Sequence, residues 1–586
     1  MPSSFLRTLF PTVVLLATIA GCDLDDEDPS IAQGAAGPVA IILQIDGEIP
    51  GFTNPSDFLT PSAMSQYKLE DLLNRASKDI QVQEVVVHFL APQIGWARAG
   101  EIGDAISRFK KSGKPITCHL EEADNLTYWM ASRSCSKIAI APAGGIDLIG
   151  LSLEAIFLKD LLDSMGVTAD ILHEGKYKDA ADSLTRNDMS PESREAMESL
   201  LGELHENLVA GIASGRKLDR KKVSELIDGG PYTASKSVKI GLADEMTTIG
   251  ALLATMEEKY PGGVQDEYGK EPQKPLSFTD LVGLLGGQTD GADKQPAHPR
   301  IAVIPAIGPI VGGSSKDDLL GSMDVISDMD LVTTLSEATR DDSIKAVVLR
   351  IDSPGGSALA SDNIWEAVRS LSEKKPVVVS MGDVAASGGY YIASAATEIY
   401  ASGSTLTGSI GVVGGKVVLA GAMEKLGVHT QTLSRGQRAT MASPFRPFNE
   451  EERSAVARLM KSTYDIFIDR VVTGRKLDRS AVLAAAQGRV WTGSQALSKG
   501  LIDKVGTFHD AVERARKLAG LPSAPVEMHP KPKSFMEILS EQISDQQNVF
   551  LSTTHRFPAG RNALVLASLL QRQKVLTFSP VFFEVR

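Results

Sequence analysis

Ser214-Gly215-Arg216-Lys217-Leu218-Asp219-Arg220 and Thr473-Gly474-Arg475-Lys476-Leu477-Asp478-Arg479 are one phrase written twice, identical at six of seven positions. Their separation of about 260 residues is too long for a solenoid repeat and suits two tandem domains. Working outward, nearly the same offset aligns Val39–Gly51 with Ile301–Gly313, Val82–Phe89 with Ile344–Ile351, and Tyr232–Asp244 with Trp491–Asp503. Four matches in the same order make the chain an internal duplication.

Within each copy, short β-branched runs alternate with helical stretches. In the second copy they are Ala346–Ile351, a helix from about Ala360 to Leu371, Pro376–Ser380, a helix near Gly388–Ala395, and Ile399–Ala401. Continuous apolar strands separated by helices predict a mainly parallel, buried sheet built from right-handed crossovers. The fold class is therefore α/β, in two tandem copies.

At 586 residues and 43% hydrophobic content the chain has ample material for two or three cores. Its net charge of −13 gives no general basic field, which argues against nucleic acid as a partner. Arg7, the apolar run Leu9–Ala20, and Ile19-Ala20-Gly21-Cys22 before the acidic stretch Asp23–Pro29 describe an export signal, too short for a comfortable membrane span. Ile-Ala-Gly-Cys resembles the lipobox of bacterial lipoproteins, which would make Cys22 the lipidated first residue of the mature protein; the plainer alternative is an uncleaved anchor with an incidental cysteine.

The expected organisation is a signal at 1–21, a first copy at 36–260, a linker at 261–298, a second copy at 299–530 and a tail at 531–586. Phe278–Leu285 inside the linker has the pattern of a short helix, and Met536–Leu570 is amphipathic enough for a packing or membrane-surface role. Cys118 and Cys135 either pair or stay buried thiols; their spacing matches no zinc pattern, and no metal is expected.

Comparing the chain with itself isolates three places where scaffold matches and chemistry differs. Asp352-Ser353-Pro354-Gly355-Gly356-Ser357 stands opposite Leu90-Ala91-Pro92-Gln93-Ile94-Gly95. Paired glycines at the end of a parallel strand can present backbone N–H groups to an anion, as an oxyanion hole does, or merely make a tight turn. Ser409, flanked by Gly408 and Gly411, stands opposite Ile149. A serine at such a turn is open to a substrate carbonyl, or else caps the turn. Lys178, in Gly175-Lys176-Tyr177-Lys178, stands opposite Ala439. One copy holds the serine and glycines, the other the lysine, which suggests one composite site.

At these residues the chain resembles the long form of the bacterial signal peptide peptidases, the protease IV family, which is similar in fold to the Clp protease and crotonase superfamily. The resemblance runs from about Val39 to Leu521 and includes Ala385-Ala386-Ser387-Gly388-Gly389-Tyr390-Tyr391 and Leu406-Thr407-Gly408-Ser409-Ile410-Gly411. It implies a Ser-Lys dyad without histidine, with Ser409 as nucleophile, Lys178 as general base and the Gly356 N–H as oxyanion donor. It also implies no cofactor, cleaved signal peptides and other apolar membrane-associated peptides as substrates, and a homo-oligomer, tetrameric in the long form. Long-form relatives commonly use a transmembrane helix, so a lipid on Cys22 is a departure. The expected location is the periplasmic face of the inner membrane, with the outer membrane an alternative.

A lysine can act as base only if its pKa falls from about 10.4 toward about 7, which burial achieves by disfavouring the ammonium. Face-to-face docking of the copies would supply that burial. Lys176 is a rival for the role, though Gly-x-Tyr-Lys favours Lys178. Ser387 is a weaker nucleophile candidate, its small neighbours suggesting a helix packed under the site. His429 is expected to be an ordinary strand residue, and Ser434 a possible partner of the amine. Two other functions compete: a crotonase-like acyl-thioester enzyme, which would need coenzyme A outside the cytoplasm, and a non-catalytic lipoprotein scaffold, which would not explain three intact site residues.

Overall fold

The computed structural model describes residues 37–52, 64–266, 268–269, 298–314, 325–530, 576–578 and 583–585. Cys22, Phe278–Leu285 and Met536–Leu570 lie outside the described residues. Among those described, no helix is long and apolar enough to cross a membrane.

Each copy builds one sheet, and the two sheets share an order. The first is seven-stranded and runs Tyr232–Thr233, Lys137–Asp147, Ile116–Asp124, Val82–Gln93, Val39–Glu48, Val264–Gln265, with Glu245–Met246 added beside Lys137–Asp147. The second is eight-stranded and runs Val490–Thr492, Leu406–Gly408, Val377–Ala386, Ile344–Ser353, Arg300–Ile307, Val526–Met528, with Glu398–Ala401 and Lys504–Val505 beside it. The central pairings are parallel in both. Val264–Gln265 extends the first sheet past 260, where the linker was expected to have begun.

Burial on both faces explains the unbroken apolar strands. Along Ile344–Ser353, Val347, Leu349 and Ile351 enter the core under the helix Ala358–Ser372, while Ala346 and Val348 pack on Phe508 and Val512 of the helix Phe508–Leu518. Full burial of a valine, leucine, isoleucine or phenylalanine side chain here contributes roughly 1.5–3 kcal/mol. Cys118 and Cys135, left open from sequence, are joined by a disulfide with a Cα–Cα distance of 5.9 Å.

The copies dock within one chain. Strand Thr168–Glu174 of the first copy pairs antiparallel with Val412–Val418 of the second through seven residue pairs, from Val412↔Glu174 to Val418↔Thr168. A six-stranded sheet results, in the order Ile326–Ser327, Ile310–Val311, Gly355–Ser357, Leu576–Phe578, Val412–Val418, Thr168–Glu174. A buried ion pair fixes the other side of the interface: Arg350 donates to Glu101 through Nη1 at 2.8 Å and Nη2 at 2.6 Å. Burial alone would lower the Arg350 guanidinium, but the charge and hydrogen bonds of Glu101 hold it well above its ordinary value. Arg98 adds a bond to Asp352 at 2.7 Å, and its backbone N–H donates to Asp383 at 3.0 Å.

Candidate active site

Docking carries Lys178 into the second copy. The loop after Thr168–Glu174 is pinned there by the Tyr177 N–H donating to the Gln487 carbonyl at 2.8 Å. Gly488, with φ +80°, leaves room for it: a Cβ there would lie 2.5 Å from the Lys178 nitrogen. Glycine is required at that position both by backbone conformation and by the close approach. Lys176, the rival lysine, is exposed and lies over the Tyr177 ring at 4.8 Å.

Lys178 is 2% exposed, and its Nζ touches three oxygens: Ser387 Oγ at 2.8 Å, Ser409 O at 3.0 Å and Ser409 Oγ at 3.0 Å. Burial lowers its pKa to about 7, with Asp179 opposing the shift. Asp179 is itself pushed up by burial, against the hydrogen bond it accepts from Ser193 at 2.6 Å, so it holds the ammonium less strongly than a free carboxylate would. A neutral amine has two N–H donors and one lone pair. The Ser409 carbonyl can only accept, so one N–H goes to it and the other to Ser387 Oγ. The lone pair is left for the Ser409 hydroxyl.

Both serines are held in backbone conformations that side chains other than glycine's rarely adopt. Ser409 has φ +50° and Ser387 φ +55°, and Gln487, whose carbonyl holds the lysine loop, has φ +63°. Such residues persist only where the surroundings over-determine them. The Ser409 N–H donates to the Arg489 carbonyl at 2.7 Å, and the Ser387 N–H to the Gly408 carbonyl at 2.8 Å, which ties the two serine turns together. Ser387 precedes the buried helix Gly388–Ala393, as expected, but its own side chain faces the amine.

The first copy shows the same frame without the chemistry. Tyr128 and Tyr390 are counterparts that donate to Leu242 O and Leu501 O respectively, and counting back from them sets Asn125 opposite Ser387. Asn125 Oδ1 accepts from the N–H groups of Ile149 and Gly150, both at 3.1 Å, where the second copy has Ser409. Self-comparison at this position would have singled out Ser387 from sequence alone.

Gly355–Ser357 lies in the six-stranded sheet, between Ile310–Val311 and Leu576–Phe578. Gly355 has φ +95°, and a Cβ on Gly356 would lie 2.0 Å from the Ile310 carbonyl oxygen, so tight packing is one reason for the paired glycines. Two expectations are corrected. His429 is not in a strand: residues 428–435 have no regular structure and are exposed, because the sheet edge that receives their first-copy counterpart belongs to the second copy itself. Ser434 is equally exposed and does not meet the amine, whose side-chain partners are Ser387 and Ser409.

Among the described residues one group has metal-ligand character. His88, His119 and Glu121 of the first copy each offer a donor atom within 4.8 Å of the others. They form their own network, His88 Nε2 lying 3.0 Å from Glu121 Oε1 and His119 Nε2 3.0 Å from the Thr247 carbonyl.

The sequence profile of Peptidase family S49 matches residues 108–261 and 369–522, one stretch in each copy, and that of Clp protease matches 319–403. The chain is 33% identical to "Serine protease SPPA, chloroplastic" of Arabidopsis thaliana over 79% of its own length and 67% of the relative's. It is 33% identical to "Protease 4" of Haemophilus influenzae over 71% of its length and 67% of that protein's. A solved membrane-bound stomatin-specific protease, 1510-N, is similar over 42% of this chain and 99% of its own, at 17% identity and a TM-score of 0.26. The α/β frame written twice, with both copies matched by one peptidase profile, places this chain in Peptidase family S49 as a serine peptidase of the long, duplicated protease IV type.

Proposed function

We propose that the chain is a Ser-Lys dyad endopeptidase, anchored by a lipid on Cys22 at the periplasmic face of the inner membrane, that hydrolyses cleaved signal peptides and other apolar membrane-associated peptides. The observation that carries the dyad is the contact of the buried Lys178 amine with Ser409 Oγ at 3.0 Å. With its pKa lowered to about 7 by burial, the amine is neutral in a large fraction of molecules at neutral pH.

Neutral Lys178 takes the Ser409 proton as Oγ bonds to the peptide carbonyl carbon. The carbonyl π pair moves onto oxygen, and the oxyanion rests on the Gly356 N–H. Collapse breaks the C–N bond, and the ammonium of Lys178 returns its proton to the leaving amine. A water, deprotonated in turn by Lys178, attacks the acyl ester; collapse breaks the C–Oγ bond, the Lys178 ammonium returns its proton to Ser409 Oγ, and the acid product leaves. Ser387 keeps the amine aimed through the cycle. No cofactor enters these steps.

The partner surface follows from the duplication. Thr168–Glu174 pairs with Val412–Val418 inside the chain, whereas its second-copy counterpart, about 429–435, is exposed throughout, with Leu433 97% exposed. A second copy of the chain, offering the first-copy counterpart of Val412–Val418, fits that segment, and repetition of the contact closes a ring. Four chains is the number the resemblance implies.

Hydrolysis of a short apolar fluorogenic peptide tests the dyad. Ser409→Ala abolishes turnover, and Lys178→Ala lowers kcat by about 100- to 10,000-fold, while Lys176→Ala keeps it. Full activity of Lys178→Ala sinks the assignment.

A further inference from the structure

The second sheet carries a buried cation where the first carries a different set of groups. The alignment of Val82–Phe89 with Ile344–Ile351 sets His88 opposite Arg350. Strand pairing extends the correspondence: His88 pairs with His119 and Arg350 with Ser380, so His119 stands opposite Ser380 and Glu121 opposite Gly382. In the second copy the Arg350 guanidinium fills this place, donating to Ser380 Oγ at 2.7 Å and to Glu101 of the first copy at 2.8 Å. In the first copy the place is taken by two imidazoles and a carboxylate, one donor atom of each lying within 4.8 Å of the others.

The protons on the two rings decide what the set can bind. His119 is fully buried, and its Nε2 lies 3.0 Å from the Thr247 carbonyl, which can only accept. The ring proton therefore sits on Nε2, and Nδ1 carries the lone pair. That lone pair faces Glu121 Oε1 at 3.7 Å. A second proton there would charge a ring with no exposure whose centroid lies 5.1 Å from that of His88, itself 5% exposed. Among the described residues, neither His119 Nδ1 nor His88 Nδ1 has a hydrogen-bond partner. A lone pair and a carboxylate oxygen thus face each other with no proton between them, an arrangement that a bound cation relieves.

We propose that His88, His119 and Glu121 bind one divalent transition-metal ion, zinc by ligand type, through His88 Nε2, His119 Nδ1 and a Glu121 carboxylate oxygen. Tetrahedral zinc with bonds of about 2.0–2.2 Å sets its ligand atoms about 3.3–3.6 Å apart. From Glu121 Oε1 the separations are 3.0 Å to His88 Nε2 and 3.7 Å to His119 Nδ1, which bracket that range. The Thr247 carbonyl supplies the outer contact that orients a histidine ligand. The Glu121 side chain is 39% exposed, so the fourth position opens to water on that side. Two imidazole nitrogens disfavour the hard, oxygen-seeking magnesium and calcium ions. The expectation of no metal rests on cysteine spacing, and this set contains no cysteine; strand pairing rather than a sequence motif brings it together. The ion joins Val82–Gln93 to Ile116–Asp124, so each copy carries a cation at the same place in its sheet, a metal in the first and Arg350 in the second.

The full chain, untagged, stripped with EDTA and desalted, tests this. Titration with zinc against a chromogenic chelator is expected to give one ion per chain with a Kd of about 1 μM or tighter, and a large excess of magnesium does not compete. Cobalt(II) in the same chain is expected to show the strong visible absorption of a four-coordinate ion. Glu121→Gln and His119→Gln each weaken zinc binding about tenfold or more, whereas His429→Ala, which removes an exposed histidine, leaves it unchanged. Equal urea midpoints of the metal-free parent and variants separate lost binding from lost fold, and Glu121→Ala, which truncates a partly exposed side chain, serves if either variant unfolds. Zinc that fails to bind at micromolar concentration, the weak bands of six-coordinate cobalt, or an affinity indifferent to both substitutions overturns the proposal and leaves the three groups as a hydrogen-bonded cluster.

Discussion

The Nζ of Lys178 lies 3.0 Å from the Oγ of Ser409, across 231 residues of sequence. The first sits on the loop after a strand that leaves its own copy to join the other copy's sheet, and the second sits on the strained turn that leads into the strand it joins. The contact exists because the copies dock within one chain, and everything chemical in the site depends on that docking.

Ser387 should behave as a positioning residue. Its hydroxyl accepts an N–H of the buried amine at 2.8 Å, so Ser387→Ala leaves a buried donor short of a partner, a cost of about 1–3 kcal/mol. Turnover is expected to fall about 10- to 100-fold with little change in KM. The acid limb of the pH–rate profile should move to lower pH, because a hydroxyl acceptor holds an ammonium more strongly than an amine. Retained fluorophosphonate labelling separates this role from that of nucleophile, since loss of the label in Ser387→Ala is what the rival assignment requires.

The ion pair of Arg350 and Glu101 should hold the copies together. Glu101 also accepts from Gln66 Nε2 at 2.6 Å and from the Phe508 N–H at 2.8 Å, so every route into it is used. Glu101→Gln leaves the guanidinium buried without its counter-charge, a loss of about 3–5 kcal/mol, seen as a lowered urea midpoint. Replacing both partners, Arg350→Met with Glu101→Leu, should recover much of that loss. An unchanged midpoint in Glu101→Gln would place the docking energy elsewhere.

Assembly should depend on the exposed segment of the second copy. Leu433→Asp puts a charge where a neighbouring chain would pack, and is expected to shift the protein to its monomer in sedimentation at micromolar concentration while leaving the Ser409–Lys178 contact within each chain. A wild-type protein that sediments as a monomer, or an oligomer indifferent to Leu433→Asp, would count against that surface.

Much of the fold was legible because the chain contains its own comparison. The repeated phrases ending at Arg220 and Arg479, and apolar runs such as Ala346–Ile351, fixed the class through periodicity. Ser409 and Lys178 stood out because Ile149 and Ala439 occupy the matching places. Ser387 was undervalued because its neighbours are small and helical in pattern, and only the geometry turns its hydroxyl toward the amine. His429 was read as a strand residue by the same duplication: sequence encodes a strand's propensity but not whether an edge is at hand to receive it. The strand Leu576–Phe578 had no repeat to announce it and three residues are too few for a period, so its place in the six-stranded sheet came from tertiary pairing alone.

The most direct test of the dyad is the pH dependence of Ser409 labelling by a fluorophosphonate. The amine must be neutral to take the serine proton, and burial sets its pKa at about 7, so labelling should rise with pH and reach half its maximum near that value. In Lys178→Met the rate should collapse and lose this titration. Labelling that is flat from pH 6 to 9, or that survives unchanged in Lys178→Met, would contradict the Ser409–Lys178 dyad.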